Sequence, residues 1–440
     1  MVARPGNAEQ LSACLAECSA HRRPVTFRGR GYSYGDMATN DGGAIIDLNR
    51  INNIQSFDSI TGSIVVQPGV SIGQILNRCL PHGWILPVTP GSPFVTVGGA
   101  ISNNVHGKNS LSRGNFGNCV ASLSVMGPTG KIRTINRQIA SREFHAVIGG
   151  AGLCGAIVEA TLTLVRTPGI AIDSEIIPFS GVEEMISLFE SSAATHEMTV
   201  AWLDAFSRNG RGLFERGAWL PFNGCNAISD TAPEREAGLS FRAAVGYALK
   251  PITGRWAVRL ANATLYQSIR LMGGIRSRKT FPSFNFIVSG RMPDLPLIYR
   301  GGMIEIQILL STQTAAAIRK ILDTCRFYRF ESWWCGIKRH SSDDFLMSFS
   351  GDGYSLSIDL PGTIRRSPSF PTFIDEIISI TKAAQGRIYL AKDLVAGAAH
   401  VRALYPRISE FLSVKNELDP DEMFESDLAR RLFSGHARTP

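Results

Sequence analysis

Across 440 residues the sequence has no Cys-x-x-Cys pair, no apolar run long enough to cross a bilayer, no uninterrupted block of like charge and no internal repeat. Each absence removes a class of function. Eight cysteines without paired spacing offer neither a zinc ribbon nor a thioredoxin-like redox motif. Cys14 and Cys18 share one face of an expected helix, which suits packing better than a bridge, and free thiols fit a cytoplasmic chain. The eight histidines are scattered without metal-ligand spacing, so no metal site is expected. The stretch "MVARPGNAEQLSACLAECSAHRR" has no sustained apolar segment, which speaks against a secretory signal. A net charge of +8 suits nucleic acid, a membrane surface or a phosphorylated ligand. Lys and Arg are spread along the chain, however, so a solvated surface is the simpler reading and no nucleic-acid partner is expected.

What the chain does have is length for two or three domain-sized units, and 43 glycines. The first half alternates short strands and helices: "AEQLSACLAEC" reads as a helix, and "PVTFRG", "AIIDL" and "SIVVQPG" as strands. "SIGQILNRCLPHG" is a helix with Ser71 as N-cap, closed by Pro81 and Gly83. "VASLSVMGPTGKIRTI" has the pattern of a hairpin. "GGAGLCG", residues 149–155, contains a literal G-x-G-x-x-G, whose dinucleotide-binding meaning requires a strand before it and a helix after it. Here the helix-like "REFHAVI" precedes. In "AIVEATLTLVRT", which follows, Val158, Ala160, Leu162 and Leu164 alternate with Glu159, Thr161 and Thr163, the period of a strand. The order is reversed and the Rossmann reading fails. These glycines instead let backbone approach a ligand or a neighbouring strand. Two more glycine clusters, "RGRGYSYGD" and "PGSPFVTVGGAISNNVHGKNSLSRGNFGN", suit backbone contact with pyrophosphate.

These stretches, with "GRIYLAKD" and "ALYPRISEFLSVKNELDPDEMFESDLARRL" at the far end, resemble the vanillyl-alcohol-oxidase superfamily with its PCMH-type FAD-binding domain. Within it they are most similar to the decaprenylphosphoryl-β-D-ribose 2-oxidase family. The resemblance implies an α+β fold: a PCMH-type FAD-binding domain over 1–170, an inserted substrate domain on an antiparallel sheet over 171–386, and a returning C-terminal segment over 387–440. It implies that Arg28, Gly29, Arg30, Gly31, Tyr32, Ser33, Tyr34, Gly35 and Asp36 line FAD. Gly91, Thr96, Val97, Gly98 and Gly99 would hold its pyrophosphate, and Asn103, Asn104, Val105 and His106 would approach the flavin and ribityl chain. Ile157 and Tyr389 would pack on the cofactor. Tyr32 stands where many relatives carry the histidine that links flavin covalently, so FAD is expected to be non-covalent.

The middle third has its own pattern. In "GYSLSIDLPG", Tyr354, Leu356, Ile358 and Leu360 alternate with Ser355, Ser357 and Asp359, and "MIEIQILL" sets Glu305 and Gln307 against Ile304, Ile306 and Ile308. An ordinary sheet with one wet side accounts for this. The resemblance implies instead a polar face over the flavin, with Gln307, Lys338, Ser355, Ser357 and Lys392 as substrate contacts and Lys338 as phosphate partner. Lys392 in "YLAKD" becomes the first catalytic candidate, with His106 and Tyr34 behind it.

Residues 270–302, which combine Arg270, Arg276, Arg278 and Lys279 with Phe281, Phe284, Phe286 and Leu295, are read as a basic and apolar lid. Such a lid suits peripheral contact at the inner face of the plasma membrane; a loop folded over its own core fits equally well. The implied reaction is FAD-dependent oxidation of the 2-hydroxyl of a polyprenyl-phosphoryl-ribose to the 2-keto sugar, the first half of an epimerisation completed by a keto-reductase. The alternative is a soluble aldonolactone or alditol oxidase acting on a free sugar or polyol.

Overall fold

The computed structural model describes residues 1–167, 169–221, 245–246, 248–250, 254–286 and 295–433. β1 (Val2–Ala3), β2 (Val25–Arg28) and β3 (Ala44–Asp47) form a parallel sheet in the order β1-β3-β2. The helix Ala8–Ala20 connects β1 to β2, which flank β3 on either side. It starts at Asn7, whose side chain accepts the Gln10 amide. β4 (Ile54–Asp58) and β5 (Ser63–Val66) follow, then the short β6 (Trp84–Ile85), β7 (Val120–Met126), β8 (Ile132–Ile135) and β9 (Ala156–Thr163). β10 (Val165–Arg166) pairs with β6, and the others make an antiparallel sheet in the order β4-β5-β9-β7-β8. Between β5 and β6, Ser71 and Gln74 close a reciprocal capping box at the start of the helix Ile72–Cys79.

The glycine run 149–155 lies between the helix Ser141–Val147 and β9. Its purpose is close approach. A Cβ at Gly150 would fall 2.1 Å from the Ala146 carbonyl oxygen. Gly155 has φ +129°, and a Cβ there would stand 2.6 Å from Val125 on the neighbouring strand.

The second half is one antiparallel sheet. β11 (Gly169–Phe179), β12 (Met198–Leu203), β13 (Gly212–Pro221), β14 (Ile275–Thr280), β15 (Met303–Leu310), β16 (Cys335–His340), β17 (Gly353–Pro361) and β18 (Arg387–Ile388) join in the order β14-β11-β13-β12-β16-β17-β15-β18. One face is apolar: Ile304, Ile306, Ile308, Leu356, Ile358 and Leu360 are buried, and the helices Thr314–Tyr328 and Phe370–Ala383 pack against β17 and β15. The other face carries the polar alternates and turns toward the first half of the chain.

That polar face is not wet, which corrects the simpler reading of its alternation: Glu305, Gln307, Ser355 and Asp359 are all buried. The lid reading of 270–302 also fails over its described part. Residues 275–280 are the edge strand β14, paired along β11, and the short helix Phe281–Asn285 follows with Phe281 and Phe284 buried. Residues 287–294 of that segment lie outside the described residues, as do 434–440 of the C-terminal one.

The C-terminal residues stitch the two halves. β18 adds to the large sheet through Ile308↔Ile388, while Phe424 bridges to Val25 beside the first sheet. Arg431 is the fastener. Its guanidinium meets both oxygens of Asp36 at 2.7 and 2.9 Å and the buried Asp393 carboxylate at 2.7 Å.

Candidate active site between the two sheets

A cavity of about 850 Å³ runs between the glycine-rich loops of the first half and the polar face of the large sheet. Arg28 to Tyr34 line one end, and Gly91, Thr96, Gly98, Gly99, Asn103, Val105, His106 and Ile157 continue the wall. Lys338, Ser357, Tyr389 and Lys392 close it from the large sheet and the C-terminal segment. Six expected site residues do not reach it. Val97 is fully buried core, and its amide is bonded to the Val70 carbonyl. Asn104 spends its side chain on Asp343, Ser348 and the Gly117 amide, which locks the loop instead. Asp36 is held by Arg431, and Gly35 is a glycine because a Cβ would stand 2.4 Å from the Asp393 carbonyl oxygen. Ser355 lies one layer behind, bonded to His340 at 2.8 Å. Gln307 also sits behind, against His106 at 3.0 Å.

The cradle fits FAD on two structural grounds. A Cβ at Gly91 would project into open space within the cavity, so the glycine leaves room for a ligand against bare backbone. Thr89 Oγ1, two residues before it, and the Trp202 indole nitrogen, on β12 of the facing sheet, are buried with no hydrogen-bond partner among the described residues. Buried polar atoms normally have partners, and a polar ligand would supply them. Tyr32, where a linking histidine was the alternative, stacks on Phe94 with ring centroids 6.1 Å apart.

Charge is concentrated where β15, β17 and the C-terminal segment meet. Lys392 Nζ lies 2.5 Å from Glu305 Oε1 and 5.2 Å from the Tyr34 ring centre. Burial alone would weaken the ammonium, but the Glu305 carboxylate and Tyr34 outweigh it and hold the Lys392 pKa above its ordinary value. Asp359 is the cross-strand partner of Glu305. Burial first, and the Glu305 charge second, push its carboxyl well above the usual range.

Lys338 behaves in the opposite way. Burial, then the charges of Lys392 and Lys108, bring its pKa down to about 7. Its Nζ lies 3.4 Å from His106 Nδ1. Burial and the neighbouring Lys338, His340 and Lys392 keep the imidazole of His106 neutral. A ring that accepts from Lys338 at Nδ1 carries its proton on Nε2. At Nε2 the neighbour is the Gln307 amide nitrogen, 3.0 Å away, so turning that amide to present its unpartnered oxygen is what this tautomer requires.

Sequence reasoning did not single out the second charged cluster. Lys108 and Lys279 both contact Glu215, at 2.9 and 2.7 Å, and all three line the cavity. This corrects the placement of Lys279 in a membrane-facing lid. Glu305 and Asp359 were visible only as polar alternates in their strands. Their equal spacing from the strand ends was the available signal, and their pairing with Lys392 required the fold.

This arrangement defines an FAD-dependent oxidoreductase: a cofactor cradle in the first half opens directly onto a charged substrate wall in the second. The comparisons agree. Residues 1–136 match the family model described as FAD binding domain, and residues 311–432 match that of D-arabinono-1,4-lactone oxidase. The chain is 31% identical over 425 residues, covering 93% of itself and 89% of the relative, to decaprenylphosphoryl-beta-D-ribose oxidase of Mycolicibacterium smegmatis. More partial likeness reaches D-lactate dehydrogenase of Anaerostipes hadrus, 29% identical over 41% of this chain and 39% of that one. D-2-hydroxyglutarate dehydrogenase of Xanthomonas citri is 29% identical over 38% and 37%. The chain belongs to the decaprenylphosphoryl-β-D-ribose oxidase family of flavoenzymes.

Proposed function

We propose that the enzyme oxidises the 2-hydroxyl of a polyprenyl-phosphoryl-β-D-ribose to the 2-keto sugar, the first half of an epimerisation that a partner keto-reductase completes. The observation that carries this reading is the pairing of two cations of different character on one wall, Lys392 against Glu305 and Lys338 with a pKa near 7. One suits an alcohol at the reacting carbon, the other a sugar phosphate. FAD, held without a covalent link between residues 28–34, 91–106 and 157, would supply the two-electron oxidation. Lys392 would bind and orient the hydroxyl and offset negative charge that develops beside it. His106, fixed between Gln307 and Lys338, would act as a neutral hydrogen-bonding wall, with Tyr34 packing over Lys392. Ser357, whose hydroxyl contacts the Gly336 amide at 3.0 Å, shapes the wall next to the sugar.

The division into 1–170, 171–386 and 387–440 assigns cofactor to the first part and substrate to the second. No helix among the described residues is long and apolar enough to cross a membrane. A substrate with a lipid tail would be met peripherally, at the inner face of the plasma membrane.

Anaerobic bleaching of the bound flavin by polyprenyl-phosphoryl-ribose, set against free aldonolactones and alditols, tests the reading. The match of residues 311–432 to the arabinono-lactone oxidase model favours the free sugar as the second reading. Bleaching by polyols alone would establish it.

A further inference from the structure

We propose that Glu305 is the proton acceptor of the alcohol oxidation, reached through Lys392. The inference rests on the alcohol-oxidation reading above, and not on which alcohol is used. Oxidising a CH–OH group removes a hydride equivalent from carbon and a proton from oxygen, and the proton needs a base. Lys392 touches the cavity but is held as an ammonium by a carboxylate 2.5 Å away, so it has no free lone pair. His106 has Gln307 against one ring nitrogen and Lys338 toward the other. Glu305 is ionised against Lys392, is 3% exposed and lines the cavity.

The Glu305 carboxylate is buried, faces the cavity and already holds the Lys392 ammonium. A single hop along an existing 2.5 Å contact connects it to the ammonium. The O–H bond of the substrate breaks and its proton passes to Lys392 Nζ as an N–H proton of Lys392 passes to Glu305 Oε1. The C–H electron pair leaves to oxidised FAD and the C=O bond forms, so protons and electrons balance. The site gains one positive charge in the process, because a neutral ion pair becomes an ammonium beside a neutral acid. That gain offsets the negative charge of the transferred hydride in a low-dielectric cavity.

Asp359 completes the arrangement. It sits across from Glu305 on the adjacent strand, is buried and lines the cavity, and its Oδ1 has no partner among the described residues. Burial and the Glu305 charge raise its own carboxyl, while Glu305 has Lys392 as its counter-ion. The other groups that face Glu305 are Tyr299, Tyr389 and Lys338, together with Lys392. Among these, Lys338 is the rival acceptor above pH 7.

The test uses the holoenzyme and whichever substrate, polyprenyl-phosphoryl-ribose or polyol, bleaches the wild-type flavin. A wrong substrate class and a wrong acceptor therefore give different results. Anaerobic flavin reduction is followed from pH 5 to 9 in wild type, Glu305→Gln and Glu305→Asp, with bound FAD counted in each. Over any acidic limb the wild type shows, protonating the acceptor should slow reduction about tenfold per pH unit. Glu305→Gln should lose that limb and run slower by about 10² or more, the usual contribution of a positioned base. Glu305→Asp should keep the limb at reduced rate. Infrared difference spectra of the wild type should gain a protonated-carboxyl band on reduction by substrate, a readout that needs no variant. A Glu305→Gln enzyme that keeps the wild-type acidic limb assigns the proton to Lys338 or another base and overturns the proposal. So does a wild type that gains no such band.

Discussion

Lys338 should make substrate affinity depend on pH, with a slope readable from its surroundings. Its pKa near 7 arises from burial and from Lys392 and Lys108. Between pH 6 and pH 9 its protonated fraction therefore falls from about nine-tenths to about one-hundredth. A charge-assisted hydrogen bond to a phosphate contributes about 1.5–3 kcal/mol, equivalent to about 10–150-fold in affinity. The concentration of polyprenyl-phosphoryl-ribose giving half-maximal flavin reduction should thus be flat below pH 7. Above it the value should climb about tenfold per unit until the contact's full contribution is lost. The neighbouring histidines do not blur the slope. His340 is held neutral, its pKa down to about 3 through burial and then Lys338 and Arg339, and His106 is likewise neutral. A phosphodiester keeps one charge throughout. Lys338→Met should bind weakly at every pH and show no slope, and an uncharged polyol should show none with the wild type. A slope unchanged in Lys338→Met would refute the assignment of this lysine to the phosphate.

Three further outcomes are expected. Acid or heat should release all the FAD into the supernatant, because Tyr32 stacks on Phe94 where a linking histidine would otherwise stand; flavin that stays with the precipitated chain would contradict this. Lys392→Met keeps the length of the side chain but removes its charge, and should cut single-turnover flavin reduction by about a hundredfold or more in flavin-loaded protein. A near wild-type rate would remove Lys392 from the chemistry. Arg431→Ala leaves the buried Asp393 carboxylate without its counter-ion and should lower unfolding stability by about 3–5 kcal/mol, measured by denaturant titration. Flavin retention should fall with it, since Asp36 and Asp393 flank the cofactor loop and Lys392. A loss below about 1 kcal/mol would show that water replaces the arginine.

Much of the cofactor half was legible because its signals are local. Alternation over 156–164 marked the strand after "GGAGLCG", and the reversed order of helix and strand ruled out a Rossmann turn. Ser71 capped its helix where the sequence placed it, for the reason that a hydroxyl three residues before a glutamine satisfies free amides on both sides. Glycines marked the cavity wall at 29, 31, 91, 98 and 99, since absence of a Cβ is a property of the residue itself. Val97, Asn104 and Ser355, carried over through the resemblance, do not line the cavity. Neighbours in a motif share a sequence, yet alternate ones point into the core or behind the wall.

What the tertiary structure alone decided is which charges meet. Glu305, Asp359 and Lys392 lie far apart along the chain, and only the pairing of β15 with β17, and the return of residues 387–392 beside them, brings them together. Period-two alternation told that Glu305 and Asp359 face one way. It could not tell that this way is a cavity between the two halves, where burial raises the pKa of one carboxyl, the other pairs with an ammonium, and Lys338 is brought near neutrality. Electrostatic character depends on distance and dielectric, and both are set by the fold.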